Sequence, residues 1–225
     1  KWHQALGLGT ENYRFHDHLN LAHYANAACD IQFNFPIGFK ELEGIHSRTD
    51  FDLSSHQQLS GKKLQYFDPE TNESYVPYVV ETSIGLDRMF LAMLTTAYGE
   101  ENVPDADGKD STRIVLKFHP ALAPVKCAIL PLLKNNDELT GMARKIFDDL
   151  KFGFMCQYDE KDAIGRRYRR QDAIGTPFCV TVDHQSLEDQ TVTIRERDTL
   201  KQDRVNVSKI REIVEERISF RELLE

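Results

Sequence analysis

The chain has no run of about 18 apolar residues, which excludes a membrane-spanning helix. It also has no C-x-x-C pair. Its four cysteines, Cys29, Cys127, Cys156 and Cys179, stand far apart, whereas disulfide frameworks are dense, so reduced thiols of a cytoplasmic protein are expected. No secretory leader is expected, because the chain opens Lys1-Trp2-His3 and mixes charge with apolar residues at once. There is no initiator Met, so a piece of a larger polypeptide is expected. No internal repeat and no low-complexity tract occur. The net charge of -8 leaves no excess of positive charge for coating nucleic acid nonspecifically, although a local basic surface can still act within an acidic protein.

What is present suits two ordinary domains: 225 residues, 40% of them hydrophobic and 28% charged. The alternation of Cys29 to Phe35 predicts a half-buried strand, with Phe39 to His46 as its antiparallel neighbour. Gln65 to Tyr78, with DPETNES at its centre, predicts a hairpin. Tyr78 to Ser83 reads as a strand and Leu86 to Tyr98 as a helix whose apolar face is Leu86, Phe90, Met93 or Leu94, and Ala97. Tyr98 to Ser111 is acidic and broken by Pro and Gly, and reads as a linker or surface loop.

Beyond it strands and helices alternate. Arg113 to Phe118 reads as a strand, and Pro124 to Lys134 as a helix ended or kinked by Pro131. Asp137 to Leu150 is a second helix, Phe152 to Tyr158 a strand and Asp162 to Ala173 a basic helix. Phe178 to Val182 and Thr191 to Glu196 are strands, and Val207 to Ile218 is a final helix capped by Asn206 or Ser208. The pattern predicts an antiparallel sheet closed by a helix over 1–110, then a mixed α/β three-layer domain over 111–225.

The segment richest in chemistry is Tyr78 to Arg88, YVVETSIGLDR. A strand carries Glu81 and Ser83 on one face, turns at Gly85 and opens a helix with Arg88 in its first turn. A helix N-terminus attracts phosphate, a forked guanidinium adds to it, and a strand carboxylate can take an ammonium group. Read alone, the same segment is also a core strand–helix unit with a surface arginine.

The segment resembles motif 3 of the class II aminoacyl-tRNA synthetases. Four stretches resemble the glycyl-tRNA synthetases in the right order: LAHYANAACDIQFNFP (21–36), FKELEGIHSRTDFDLSSHQQLSG (39–61), YVPYVVETSIGLDR (75–88) and IGRRYRRQDAIGTPFCVTVD (164–183). This resemblance implies a class II catalytic-domain portion followed by the anticodon-binding domain shared with histidyl, prolyl and threonyl synthetases. It implies that Glu41 and Leu42 lie near the adenine and ribose of ATP. Glycine falls to Glu81, Thr82, Ser83, Ile84 and Gly85, and ATP to Gly85, Leu86, Asp87 and Arg88, with Arg88 at the γ-phosphate and Glu81 and Arg88 as catalytic residues. Thr82 stands where the family usually has Pro, and its side chain is expected to point away from the pocket.

The activity so implied is ATP- and Mg²⁺-dependent activation of glycine and its transfer to tRNA(Gly) by a cytoplasmic homodimer. Positioning and charge stabilisation would carry it, with a pocket too small for larger side chains. Motifs 1 and 2 do not occur in the chain, so by itself it is expected to be inactive.

Three clusters keep two readings. His16, His18 and His23 in HDHLNLAH do not complete a metal set at familiar spacing and suit an active-site wall or an acceptor-strand contact. Arg48, Asp50 and Asp52 read as an ion-pair network or, less simply, as catalytic carboxylates with a cation. Arg166, Arg167, Arg169 and Arg170 around Tyr168 form either a solvated helix or a contact with the anticodon stem-loop. Two other functions compete. A nucleic-acid-binding relative without catalysis would not need Glu41, Glu81, Ser83 and Arg88 together, and a hydrolase built on Asp50 and Asp52 lacks a nucleophile.

Overall fold

The computed structural model describes residues 1–104 and 110–224. The chain divides into two compact units, Leu8–Thr95 and Lys1–Gly7 with Thr96–Glu225. A one-turn helix, α1 (Trp2–Ala5), belongs to the second.

In the first unit, polar and apolar residues alternate along β2 (Ala27–Phe35), which pairs antiparallel with β1 (Tyr13–Asp17) on one side and β3 (Gly38–Ser47) on the other. The period of two sends Ile31, Phe33 and Phe35 into the core and turns Asp30 and Gln32 to the opposite face. A bulge at Ile31/Gln32 leaves Leu42 without a cross-strand partner. Helix α2 (Phe51–Ser60) and the hairpin β4 (Tyr66–Asp68) and β5 (Glu73–Tyr75) follow before the chain returns. It returns as β6 (Val80–Ile84), beside β3, to complete the order β1-β2-β3-β6. From β6 the chain turns at Gly85 into α3 (Leu86–Ala97), whose first ladder bond runs from Met89 N to Gly85 O at 2.9 Å. The expected apolar face of this helix is only partly inside: Ala97 is buried and Met93 and Leu94 are half-buried, whereas Leu86 and Phe90 are exposed. Helical spacing marks an apolar face but does not determine what covers it.

In the second unit two expectations are corrected. The polar stretch after Tyr98 is not a loop throughout but β7 (Tyr98–Pro104), paired antiparallel with β8 (Asp110–Leu116); residues 105–109 lie outside the described residues. Its acidic residues are consistent with a strand because Glu101 meets Arg113 and Lys117 across the hairpin. The expected helix around Pro124 to Lys134 is instead β9 (Cys127–Pro131), buried at every position. A short apolar run reads equally as a buried strand or a helix, and Pro131 closes the strand where it would have broken a helix.

Most of the rest follows the spacing. Helix α4 (Asp137–Leu150) starts at Asn136, whose side chain accepts from the Glu138 and Leu139 amides. After it come β10 (Cys156–Tyr158), shorter than expected, α5 (Ile164–Ile174), β11 (Phe178–Val182), α6 (His184–Asp189), β12 (Thr191–Glu196) and β13 (Gln202–Asn206). A 3-10 turn capped by Asn206 leads into α7 (Ile210–Arg217), and α8 (Phe220–Leu224), not α7, comes last. Of these, α6, β13 and α8 are additional to the expected elements.

The sheet order is β10-β9-β11-β12-β13, parallel among the first three and antiparallel thereafter. One face packs Leu139, Ala143 and Ile146 of α4 with Ile210 and Val214 of α7. On the other, Ala128, Leu130 and Cys179 meet Ile164 and Tyr168 of α5. That is the expected three-layer arrangement.

Candidate functional site

Register assigns the faces of β6. Glu81 lies opposite His46 and Ser83 opposite Gly44, while Thr82 lies opposite Ile45. Glu81 and Ser83 therefore share a face with Asp30, Gly44 and His46, and Thr82 and Ile84 project to the other. Thr82 donates its hydroxyl to Glu43 there. Any contact of Thr82 or Ile84 with a ligand on the first face would be through the main chain.

Arg48 holds the carboxylate of Glu81. Its Nη1 donates to Glu81 Oε2 at 2.6 Å, while its Nε and Nη2 grip Asp52 at 2.6 and 3.1 Å, and the guanidinium lies 4.1 Å over the ring of Tyr24. The hydrogen bonds it donates to Asp52 and then to Glu81 hold Arg48 more firmly in its charged form, and the bond from Arg48 keeps the Asp52 carboxyl below the usual carboxylate range. The ion-pair reading of Arg48 and Asp52 is the observed one, but it extends to the site through Glu81. Asp50 plays a local part, accepting from Ser54 at 2.8 Å.

Arg88 projects from the first turn of α3 and donates to the Glu41 main-chain oxygen at 2.7 Å, with the Glu41 carboxylate 3.4 Å away. Both line a cavity of about 360 Å³ with Phe35, Ile37, Lys40 and Leu91. Leu42 itself is buried, and its carbonyl is 3.5 Å from the Gly85 amide, tying the β6–α3 turn to β3. Leu86 is exposed, and Asp87 lies in the first turn of α3. An apolar-walled hollow with a forked cation and carboxylate on its rim can take a planar base and its phosphates.

The histidines separate. His23 packs edge-on against Phe51 at 5.2 Å, whereas His18 approaches Asp30 at 2.9 Å and the ring of His46 at 5.9 Å. Among the described residues no three His, Cys, Asp or Glu groups converge as a metal site.

The arginines of α5 separate as well. Arg167 is buried, donating to the carbonyls of Pro131, Asp159 and Leu132, and burial lowers its pKa. Arg170 is tied to Asp159 and Asp162, each at 2.8 Å. Arg166 is largely exposed, 4.0 Å from Asp162, and Arg169 is half-buried. Composition alone did not distinguish them; helical phase against β9 does.

Residues 126–217 match the anticodon binding domain family. The fold is similar to that of a Giardia lamblia prolyl-tRNA synthetase solved in complex with prolyl-adenylate, with a TM-score of 0.58 and 20% identity, over 89% of this chain and 39% of that one. The architecture is similar to that of a class II aminoacyl-tRNA synthetase, with the anticodon-binding domain match in its second half. Sequence narrows the class. The chain is 54% identical over 215 residues to the glycine–tRNA ligase of Chlorobaculum tepidum, covering 95% of this chain and 44% of that one. To the glycine–tRNA ligase of Staphylococcus aureus strain JH9 it is 51% identical over 221 residues, 97% of this chain and 46% of that one. It is a homologue of the glycine–tRNA ligases, and it spans about half the length of the curated relatives it matches. Among the described residues no helix is long and apolar enough to cross a membrane.

Proposed function

We propose that this chain is the part of a glycine–tRNA ligase that holds the amino-acid carboxylate, one wall of the ATP site and the anticodon-binding domain. The observation that carries the reading is the Arg48-held carboxylate of Glu81 beside Ser83 on one sheet face, in the same unit as the Glu41–Arg88 hollow. Glu81 takes the ammonium of glycine and Ser83 adds a hydroxyl on the same face. Arg88 meets the phosphate end of ATP, with the free amides at the start of α3 behind it. Glycine's carboxylate attacks the α-phosphorus in line, forming glycyl-adenylate and releasing pyrophosphate. A ribose hydroxyl at the tRNA 3′ end then takes the glycyl group and AMP leaves.

Mg²⁺ would accompany ATP on its phosphates, and among the described residues no group of carboxylates and histidines would hold it without the nucleotide. When bound it neutralises phosphate charge. Arg166 and Arg169 of α5 are the arginines we assign to the anticodon arm of tRNA(Gly). A homodimeric parent and a cytoplasmic location belong to the same reading, on resemblance.

The test is glycine-dependent ATP–pyrophosphate exchange by the full-length parent. Exchange is expected in the parent, lost in its Glu81→Gln variant and absent from this chain alone. Unchanged exchange in Glu81→Gln, or robust exchange by this chain, refutes the assignment.

A further inference from the structure

Thr49, between β3 and α2, holds a backbone conformation that its side chain disfavours. Its φ is 54°, and among the described non-glycine residues with positive φ it is the β-branched one. A β-branched residue in the left-handed region is an outlier, kept only where its surroundings over-determine it. Such residues cluster at active sites and ligand clamps.

Three hydrogen bonds hold this turn. Past the end of β3, Arg48 N donates to Val79 O at 2.8 Å and Val79 N donates to Thr49 O at 2.9 Å. Two residues therefore face one, the pattern by which a bulge re-aims a side chain. The Thr49 hydroxyl donates to the main-chain oxygen of Tyr24 at 3.2 Å.

The residues so tied are the ones around Glu81. The ring of Tyr24 lies 4.1 Å from the Arg48 guanidinium carbon. Val79 stands two residues before Glu81, and Arg48 itself bonds Glu81 and Asp52. An extended chain would have carried residues 49–52 onward along the sheet, about 3.3 Å apiece. The left-handed turn instead starts α2 at once, with Asp50 at its N-cap, and brings Asp52 to the guanidinium. Loss of the hydroxyl removes the tie to Tyr24. It leaves the two Val79 bonds to oppose relaxation of Thr49 to negative φ, which would carry Arg48 with it.

Resting on the role proposed above for Glu81, we infer that Thr49 is a positioning residue of the amino-acid site, its hydroxyl keeping the strained turn that aims Arg48 at Glu81. Thr49 touches no substrate in this arrangement. It acts through Arg48, and a small displacement there reaches the carboxylate that takes the ammonium group.

Three variants separate the hydroxyl from the strain. Thr49→Val keeps the shape and removes the hydroxyl, Thr49→Ser keeps the hydroxyl, and Thr49→Gly removes the hydroxyl together with the steric penalty at positive φ. Each is made in the full-length parent and assayed by glycine-dependent ATP–pyrophosphate exchange with each substrate varied. Thr49→Val is expected to raise the KM for glycine about tenfold and that for ATP less than about twofold, with Thr49→Ser within about twofold of the parent on both. A turn that served only the fold would lower the melting temperature and leave the KM for glycine unchanged. In this chain, the Arg48 Nε–H resonance in proton–nitrogen correlation spectra reads the clamp without glycine or ATP. Thr49→Val is expected to displace it and Thr49→Ser to leave it in place. Should Thr49→Val not fold, Thr49→Gly is expected to show the same displacement and the same glycine-selective rise. An unmoved resonance in folded variants, equal rises in both constants, or Thr49→Ser as impaired as Thr49→Val overturns the assignment. A displaced resonance with no exchange by the wild-type parent keeps the hold of Thr49 on Arg48 and rejects the enzyme reading.

Discussion

Arg48 and Glu81 are 33 residues apart in sequence and 2.6 Å apart at Nη1 and Oε2. The pair is oriented from behind by Asp52, which takes the other side of the same guanidinium. Glu81 thus presents a carboxylate whose position is set before any ammonium group arrives. Preorganisation of this kind matters because an ångström of misplacement in a site can cost about 100-fold in rate.

Removing the clamp therefore has a specific signature. In the full-length parent, Arg48→Ala is expected to raise the KM for glycine about tenfold or more and that for ATP much less. Arg48→Lys should recover only part of the loss, because an ammonium cannot bond two carboxylates in a fork. Asp52→Asn should act in the same direction but more weakly, since the bond to Glu81 survives. Steady-state exchange kinetics with each substrate varied in turn decide it; equal effects on both constants would remove the positioning role.

Asp172 supports a different prediction, about stability. It is fully buried and bonds Arg195 through both oxygens, at 2.8 and 2.9 Å, and Arg113 at 3.1 Å. Arg113 in turn donates to the Arg197 carbonyl, and Arg197 to the carbonyls of Gly175 and Phe118. Asp172→Ala leaves the buried Arg195 without its carboxylate and Arg113 with Glu101 alone, a change that costs about 3–5 kcal/mol. Urea unfolding of the chain, followed by far-UV circular dichroism, should show a midpoint lowered accordingly or no folded baseline. Gly175, at φ 83°, allows this network to close: a Cβ there would lie 2.7 Å from the Phe118 ring.

A pH dependence follows from Asp183, which caps α6 and is bonded by Arg204. That bond brings its carboxyl down to about 2 from an ordinary 3.8. A depressed folded pKa contributes stability that is present above the unfolded value and is lost as pH falls through the folded one. The loss from this group therefore falls between about pH 4 and about pH 2. Arg204→Gln should lower stability at neutral pH by on the order of 1 kcal/mol, allowing for partial exposure, and should flatten the profile in that acid window. Unfolding free energies of both proteins from pH 2 to 6 provide the check; parallel curves would assign the acid sensitivity to other carboxylates.

These features were unequally legible in the sequence. The shared face of Glu81 and Ser83 was readable because the strand period is two, and the start of α4 was readable because Asn136 is a strong cap for an amphipathic run. Strand β9 was misread because a fully buried strand has no alternation to distinguish it from a helix. The β7–β8 hairpin was misread because its acidic residues are satisfied across strands by Arg113 and Lys117, which local composition cannot show. The Arg48–Glu81 pair was out of reach for the same reason: a contact between separated segments leaves no periodic trace. Arg48 and Glu81 each stand out as charged residues in the sequence, but only the pairing of β3 with β6 joins them.

The arginines of α5 allow structure and recognition to be separated in one experiment. Arg166 is exposed and has only a 4.0 Å neighbour in Asp162, so its charge is available to a phosphate. Arg167, one residue on, is turned into the unit and satisfies carbonyls at the end of β9. A phosphate contact contributes to affinity by releasing counterions, about 0.7 to 0.9 in the slope of log affinity against log salt. Arg166→Gln should therefore weaken tRNA binding severalfold, reduce that slope by about one such increment, and leave the melting temperature where it was. Arg167→Gln should leave buried carbonyls short of donors at about 1–3 kcal/mol, lowering the melting temperature without changing the slope of the protein that remains folded. Filter binding across a salt series, run beside thermal melts, resolves the two. If Arg167→Gln changes the slope, or Arg166→Gln changes only the melt, then the exposed side of α5 is not the RNA-facing one.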